Sequence, residues 1–75
     1  MVLAYVLINI KSGQEKDVLD KLRAVGQVMD ANLVYGEYDL IVKVELDEVS
    51  NLSEFIIEKV RALPIEKTTT LIVAG

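Results

Sequence analysis

Cysteine, histidine and tryptophan are all missing from this sequence of 75 residues. The absence of cysteine excludes disulfides and thiolate metal sites. The absence of histidine removes the commonest general base, the commonest zinc ligand and the side chain that titrates near neutral pH. Positive charge is in deficit, with eight Lys and Arg against twelve Asp and Glu and a formal charge of −4. That is the wrong sign for gripping a phosphate backbone, so direct binding of nucleic acid is not expected. No long hydrophobic run is present either. The longest, Val2 to Ile10, is nine residues, far short of the ~20 that span a bilayer. It has neither the preceding basic region nor the following small-residue cleavage site of a signal peptide, and a cytoplasmic protein is expected. A single proline, four glycines, 52% apolar and 27% charged residues read as one compact domain over residues 1–75 and not a linker. A domain this short buries only about 60% of the surface its unfolded chain exposes, so it is marginal unless a partner covers more of it.

Val2 to Ile10 is rich in β-branched residues and apolar at both parities, the pattern of a central strand covered on both faces. Lys11, Ser12 and Gly13 break it. Ser12 with Glu15 three residues on has the form of a capping box, which places a helix start there. Val18, Leu19, Leu22 and Val25 then follow the helical period, Asp17 and Lys21 form a favourable i,i+4 pair, and Gly26 is expected to end the helix.

From Val28 to Glu45 the chain reads as a hairpin around Gly36-Glu37, with glycine where a two-residue type II′ turn requires it. This predicts a register. Tyr35 faces Tyr38, Leu33 faces Leu40, Ala31 faces Val42 and Met29 faces Val44, all on one apolar side. On the other side Val34 faces Asp39, Asn32 faces Ile41 and Asp30 faces Lys43. Asp47 or Ser50 is expected to cap a second helix carrying Val49, Leu52, Phe55, Ile56, Val60 and Leu63, which Pro64 stops. Ile65 to Val73, with three consecutive threonines, has strand composition.

The order β-α-β-β-α-β in so short a chain points to an α+β fold. It is the ferredoxin-like βαββαβ plait, a four-stranded antiparallel sheet with two helices on one face. The first strand is apolar on the uncovered face too. Either this is a small exposed patch, or a second subunit packs there sheet against sheet.

Several activities hosted by this architecture fail on chemistry. Metal chaperones of this shape need a Cys-x-x-Cys loop, and RNA-recognition plaits need aromatic residues on the central strands with basic surroundings. Acylphosphatase-type enzymes need an arginine in the loop after the first strand, where this chain has Lys11-Ser12-Gly13. No acid, base, nucleophile or metal constellation stands out, so no enzyme, catalytic residue, cofactor or metal is expected.

What remains is Tyr35-Gly36-Glu37-Tyr38-Asp39 leading into Leu40-Ile41-Val42-Lys43-Val44, followed about thirty residues later by Thr68-Thr69-Thr70-Leu71-Ile72-Val73. With Gly13, Phe55-Ile56 and Leu63-Pro64, this resembles the effector (RAM) domain of the Lrp/AsnC family of transcriptional regulators, along essentially the whole chain and without the helix-turn-helix. The resemblance implies a homodimer that assembles further, often into rings, and binds an amino acid between dimers. It also implies action on transcription through co-assembly with a full-length regulator, with no direct contact to nucleic acid or membrane. A structural protein–protein interaction domain without ligand is the alternative.

By the same resemblance the effector-binding positions are Tyr35, Gly36, Glu37, Tyr38, Asp39, Thr68, Thr69 and Thr70. Asp39 would accept from the ligand ammonium, backbone N–H groups around Gly36 and Glu37 would meet its carboxylate, and the hydroxyls of Thr68 and Thr70 would complete the polar contacts. Each residue also has a purely structural reading. Asp39 can accept backbone N–H groups beside the turn, Tyr35 and Tyr38 can pack as a cross-strand pair, and threonine suits an edge strand. The chain departs from the family at Pro64-Ile65, where the connection looks one residue short, which is expected to shift the start of the last strand.

Overall fold

The computed structural model describes all residues from Met1 to Gly75. Four strands and two helices follow one another as β1 (Val2–Ile10), α1 (Glu15–Arg23), β2 (Val28–Leu33), β3 (Leu40–Leu46), α2 (Val49–Phe55, continued by a π turn over Ile56–Val60) and β4 (Ile65–Ile72). The sheet is antiparallel in the order β2-β3-β1-β4, so the ferredoxin-like plait expected from the sequence is the fold, with β1 central. No helix is long and apolar enough to cross a membrane.

Strand alternation sorts the side chains cleanly. Ala4, Val6, Ile8 and Ile10 of β1 and Leu40, Val42, Val44 and Leu46 of β3 are buried on the helix side, where they meet Val18, Leu19 and Leu22 of α1 and Leu52, Phe55 and Val60 of the second helical segment. All fifteen buried residues are apolar. The interior therefore contains no polar side chain that needs a partner.

Local chemistry explains where the elements differ from expectation. Ser12 does not cap α1. It sits in a turn closed by the Gln14 N–H donating to the Lys11 carbonyl at 3.0 Å, with Gly13 at φ 85°, the conformation a type II turn requires at its third residue. Gln14 becomes the N-cap. At the other end α1 tightens at Ala24, whose N–H reaches the Lys21 carbonyl, and stops before Gly26. The second helix is capped by neither Asp47 nor Ser50 but by Glu48, whose N–H donates to Asn51 Oδ1 at 3.0 Å. Its π turn, marked by the Arg61 N–H reaching the Ile56 carbonyl at 2.9 Å, also has a reason. In an unbroken α-helix the residue four after Phe55 is Lys59, and one extra residue per turn brings Val60 to the core and leaves Lys59 exposed.

The hairpin register holds for Leu33 with Leu40, Ala31 with Val42, Asn32 with Ile41 and Asp30 with Lys43. It fails at Met29. A bulge lets Val28 pair with Val44, leaving Met29 unpaired and 54% exposed. Bulges of this kind blunt an edge strand. The Arg23 guanidinium covers the same edge, donating through Nε and Nη2 to the Ala31 carbonyl at 3.2 and 2.9 Å.

β4 starts irregularly: Asn9 pairs with Lys67 but Ile10 with Ile65, so Glu66 is bulged out. Pro64 forms the corner, with the Ile65 N–H donating to the Leu63 carbonyl at 2.8 Å. This i to i+2 closure suits the fixed φ of proline.

Truncating Leu22, fully buried between α1 and the sheet, is expected to cost about 2–5 kcal/mol. Much of the stability of a domain this small would be lost, and urea unfolding followed by circular dichroism of Leu22→Ala measures it.

Candidate functional site

The β2–β3 connection is not the expected two-residue turn. After the Leu33–Leu40 pair the Val34 N–H donates to the Asp39 carbonyl at 2.9 Å, and Tyr35 to Tyr38 then form a wide bend with Gly36 at φ 131°. Tyr35 does not pair with Tyr38. Its side chain is fully exposed, whereas the Tyr38 hydroxyl lies 2.8 Å from Thr69 Oγ1. That bond draws Tyr38 across the sheet toward β4. The backbone N–H groups of Tyr35, Gly36, Glu37 and Tyr38 donate to nothing in the protein. Four successive backbone donors at the loop tip are thus left to water or to a ligand.

Asp39 is held from two directions. Its N–H donates to the Ile8 carbonyl at 3.0 Å, and its Oδ2 accepts the Ile10 N–H at 2.9 Å. The carboxylate thus takes the place of a ladder carbonyl at the end of β1, just before the Lys11 N–H turns away to the Pro64 carbonyl at 3.1 Å. β1 fixes where the loop leaves the sheet.

The threonines divide between the two faces. Thr68 pairs with Ile8 and Thr70 with Val6, so both lie on the helix side, half-buried, and neither hydroxyl makes a hydrogen bond. Thr69 pairs with Leu7 on the uncovered face and is the one threonine tied to the loop. Thr68 and Thr70, expected to complete the polar contacts of a ligand at the loop, thus lie on the opposite face from Thr69. The pairing with β1 sets the parity, which a run of three threonines does not reveal. Lys67 joins the Tyr38 side, its Nζ 6.0 Å from the ring centroid.

Beside the loop lies an open cleft of about 290 Å³ lined by Glu15, Leu33, Val34, Tyr35 and Asp39. Sequence reasoning missed Glu15, Leu33 and Val34. No local signal marks Glu15 beyond its position three residues after Ser12, and only folding sets the first turn of α1 beside the hairpin. A different surface lies on the uncovered side of the sheet. There Leu3, Tyr5 and Leu7 of β1 and Ile41 of β3 are half-buried, and Leu71 and Val73 of the β4 end are 54% and 41% exposed.

A family model for the Lrp/AsnC ligand binding domain matches residues 3–74. The chain belongs to the Lrp/AsnC family. It is 30% identical over 73 residues to the HTH-type transcriptional regulator FL11 of Pyrococcus abyssi, covering 96% of this chain and 48% of that protein. The chain thus spans about half the length of the curated relatives it matches. Among solved structures it resembles FFRP-DM1, with 48% identity, a TM-score of 0.94 and coverage of 99% of this chain and 100% of that one. It also resembles the hypothetical protein PHS023 of Pyrococcus horikoshii, with 47% identity, a TM-score of 0.92 and coverage of 100% and 92%. The match identifies a ligand-binding domain of the Lrp/AsnC family, and the curated relatives that share it are transcriptional regulators, not enzymes. Within these 75 residues the two helices are separated by β2 and β3, so they form no helix-turn-helix.

The Tyr38–Thr69 bond should be visible in stability. Tyr38→Phe and Thr69→Val are each expected to cost about 0.5–1.5 kcal/mol and to be non-additive in a double-mutant cycle. Thr68→Val and Thr70→Val, which remove hydroxyls without partners, should change urea midpoints little.

Proposed function

We propose that residues 1–75 act as a single effector domain that binds a free amino acid at the β2–β3 loop. Binding would alter the association of the domain with its own copies and with a DNA-binding regulator of the family. The observation that carries this reading is the juxtaposition, in one loop, of four free backbone donors with the Asp39 carboxylate. An amino acid carries an ammonium and a carboxylate on one carbon, so its site needs acceptors and donors side by side. Asp39 supplies the acceptor and the N–H groups of Tyr35 to Tyr38 the donors. Tyr35 and Glu37 rim the site, Gly36 allows close backbone approach, and Thr69 holds Tyr38 in position. Thr68 and Thr70 contribute on this reading only through the strand they belong to.

Association follows from the uncovered face. Leu3, Tyr5, Leu7 and Ile41 form an apolar centre on a domain with a small core, and a second copy packed sheet against sheet buries it. Tyr38 links the two functions, because its hydroxyl lies on Thr69 of that face and its neighbour is Asp39. A ligand that repositions the loop changes the face, and differential affinity for the association states is all that coupling requires. The setting proposed is the cytoplasm, where such a regulator meets both free amino acids and DNA.

One observation favours a second reading. Asp39 Oδ2 is already engaged by the Ile10 N–H, as in an interaction domain whose loop serves structure alone. A thermal-shift screen against the twenty amino acids, with mass measured by light scattering, separates the two. The proposal expects an oligomer at micromolar concentration and a concentration-dependent stabilisation by at least one amino acid. It expects Asp39→Asn, which keeps an oxygen for the Ile10 N–H, to abolish that response while leaving the fold intact. A stable oligomer that responds to no amino acid supports the structural reading.

A further inference from the structure

We propose that the free edge of β4 pairs with the β4 edge of a second copy of this chain. The pairing is antiparallel about a twofold axis, sets Thr68 of one copy opposite Thr70 of the other, and joins two sheets into one. This contact uses the rim of the sheet and stands apart from both the loop and the packing of uncovered faces.

The two edges of the sheet are finished differently. In the order β2-β3-β1-β4 only β2 and β4 have a single neighbour. β2 is bulged at Met29, and the Arg23 guanidinium occupies the Ala31 carbonyl. Both features blunt an edge. β4 is irregular only at its start, where Glu66 is bulged out. From Thr68 to Val73 it has no charge, no proline and no glycine, and every residue but Leu71 is β-branched. An open edge of that composition is a template for another strand. The Val73 N–H donates to the Leu3 carbonyl at 2.9 Å, which turns the odd residues of β4 toward β1. Alternation then points the N–H and C=O groups of Thr68, Thr70 and Ile72 outward, where no other strand or side chain meets them.

The side chains choose the partner. Thr68 and Thr70 are half-buried on the helix side, and neither hydroxyl makes a hydrogen bond. Because the outward groups belong to even residues, a twofold antiparallel pairing sets even against even, and its possible registers step by two. Registers centred on Glu66 or Lys67 oppose like charges. With Thr68 against the partner's Thr70, both threonines of both copies face a threonine, and cross-strand threonine pairs can hydrogen-bond. Lys67 then faces the partner's Leu71, and no like charges meet. The edge is thus complementary to itself. Leu71 and Val73, 54% and 41% exposed, stand on the uncovered face beside this edge, so the pairing also makes the apolar faces of the two copies continuous.

The chain has no cysteine, so engineered thiols report the register directly. Thr68→Cys and Thr70→Cys chains, one of them labelled with ¹⁵N, are mixed, oxidised and analysed by mass spectrometry. The mixed disulfide is expected to exceed either like dimer by about tenfold, because only the mixed pair brings Cα atoms within the ~4.4–6.8 Å that a disulfide spans. Both positions lie on the helix side, so packing of uncovered faces cannot produce this cross-link. In a second arm Thr70→Lys, which places a charge on the edge, should halve the mass seen by light scattering while circular dichroism stays unchanged. A like-to-mixed ratio set by random collision, or a mass unchanged in Thr70→Lys, overturns the proposal. A monomeric wild-type chain also overturns it, leaving the edge to an extended segment of another protein or to water.

Discussion

β1 is hydrogen-bonded along both edges, to β3 on one side and β4 on the other, and the rest of the molecule takes its position from that double pairing. Its even residues supply the centre of the core, and its odd residues the centre of the uncovered face. Its last residues also decide where the β2–β3 loop leaves the sheet. Ile8 offers a carbonyl to the Asp39 N–H, and Ile10 offers an N–H to the Asp39 carboxylate. A charged acceptor on a backbone N–H is among the stronger hydrogen bonds available to a protein. The loop thus starts from a rigid point although its tip is free.

That arrangement reconciles two demands that the proposed site makes on the loop. On the proposed reading the tip exposes polar groups to a ligand, which costs little because water otherwise satisfies its N–H groups. The base must hold a fixed geometry, which the strand end and the Tyr38–Thr69 bond provide. Charge follows the same division. The exposed ion pairs of α1 are local and solvated, whereas Glu15 and Asp39, in no ion pair, border an open, partly apolar cleft.

Membership of the Lrp/AsnC family agrees with the physical reading on fold and on a ligand-binding, regulatory character. The solved relatives FFRP-DM1 and PHS023 have almost the same extent as this chain, whereas FL11 is about twice as long. The same domain thus occurs both as a short chain in solved structures and as part of a longer regulator. An open, apolar sheet face suits both settings, because it can meet another copy of the domain whatever else the partner carries.

Periodicity alone was enough for the plait. Val2 to Ile10 is apolar at both parities, Val18, Leu19 and Leu22 recur at helical spacing, and most of the hairpin register follows from the segregation of Ala31, Leu40 and Val42 from Asp30, Asn32 and Lys43. These patterns are legible because burial is a property of a whole face and leaves a periodic trace. The misses lie where one side chain answers to a distant element. Met29 is displaced by a bulge, and the second helix reaches the expected core residue Val60 only through a π turn. Tyr38 leaves its expected partner Tyr35 for Thr69, thirty-one residues away. The candidate site is of this second kind. Its loop was found from the Gly-Glu-Tyr-Asp run, but the parity of the three threonines and the bond from Asp39 to Ile10 were settled by pairing across β1, and the place of Glu15 by the packing of α1 beside the hairpin. A contact between residues far apart in the chain has no period, so it becomes readable only when the chain has folded.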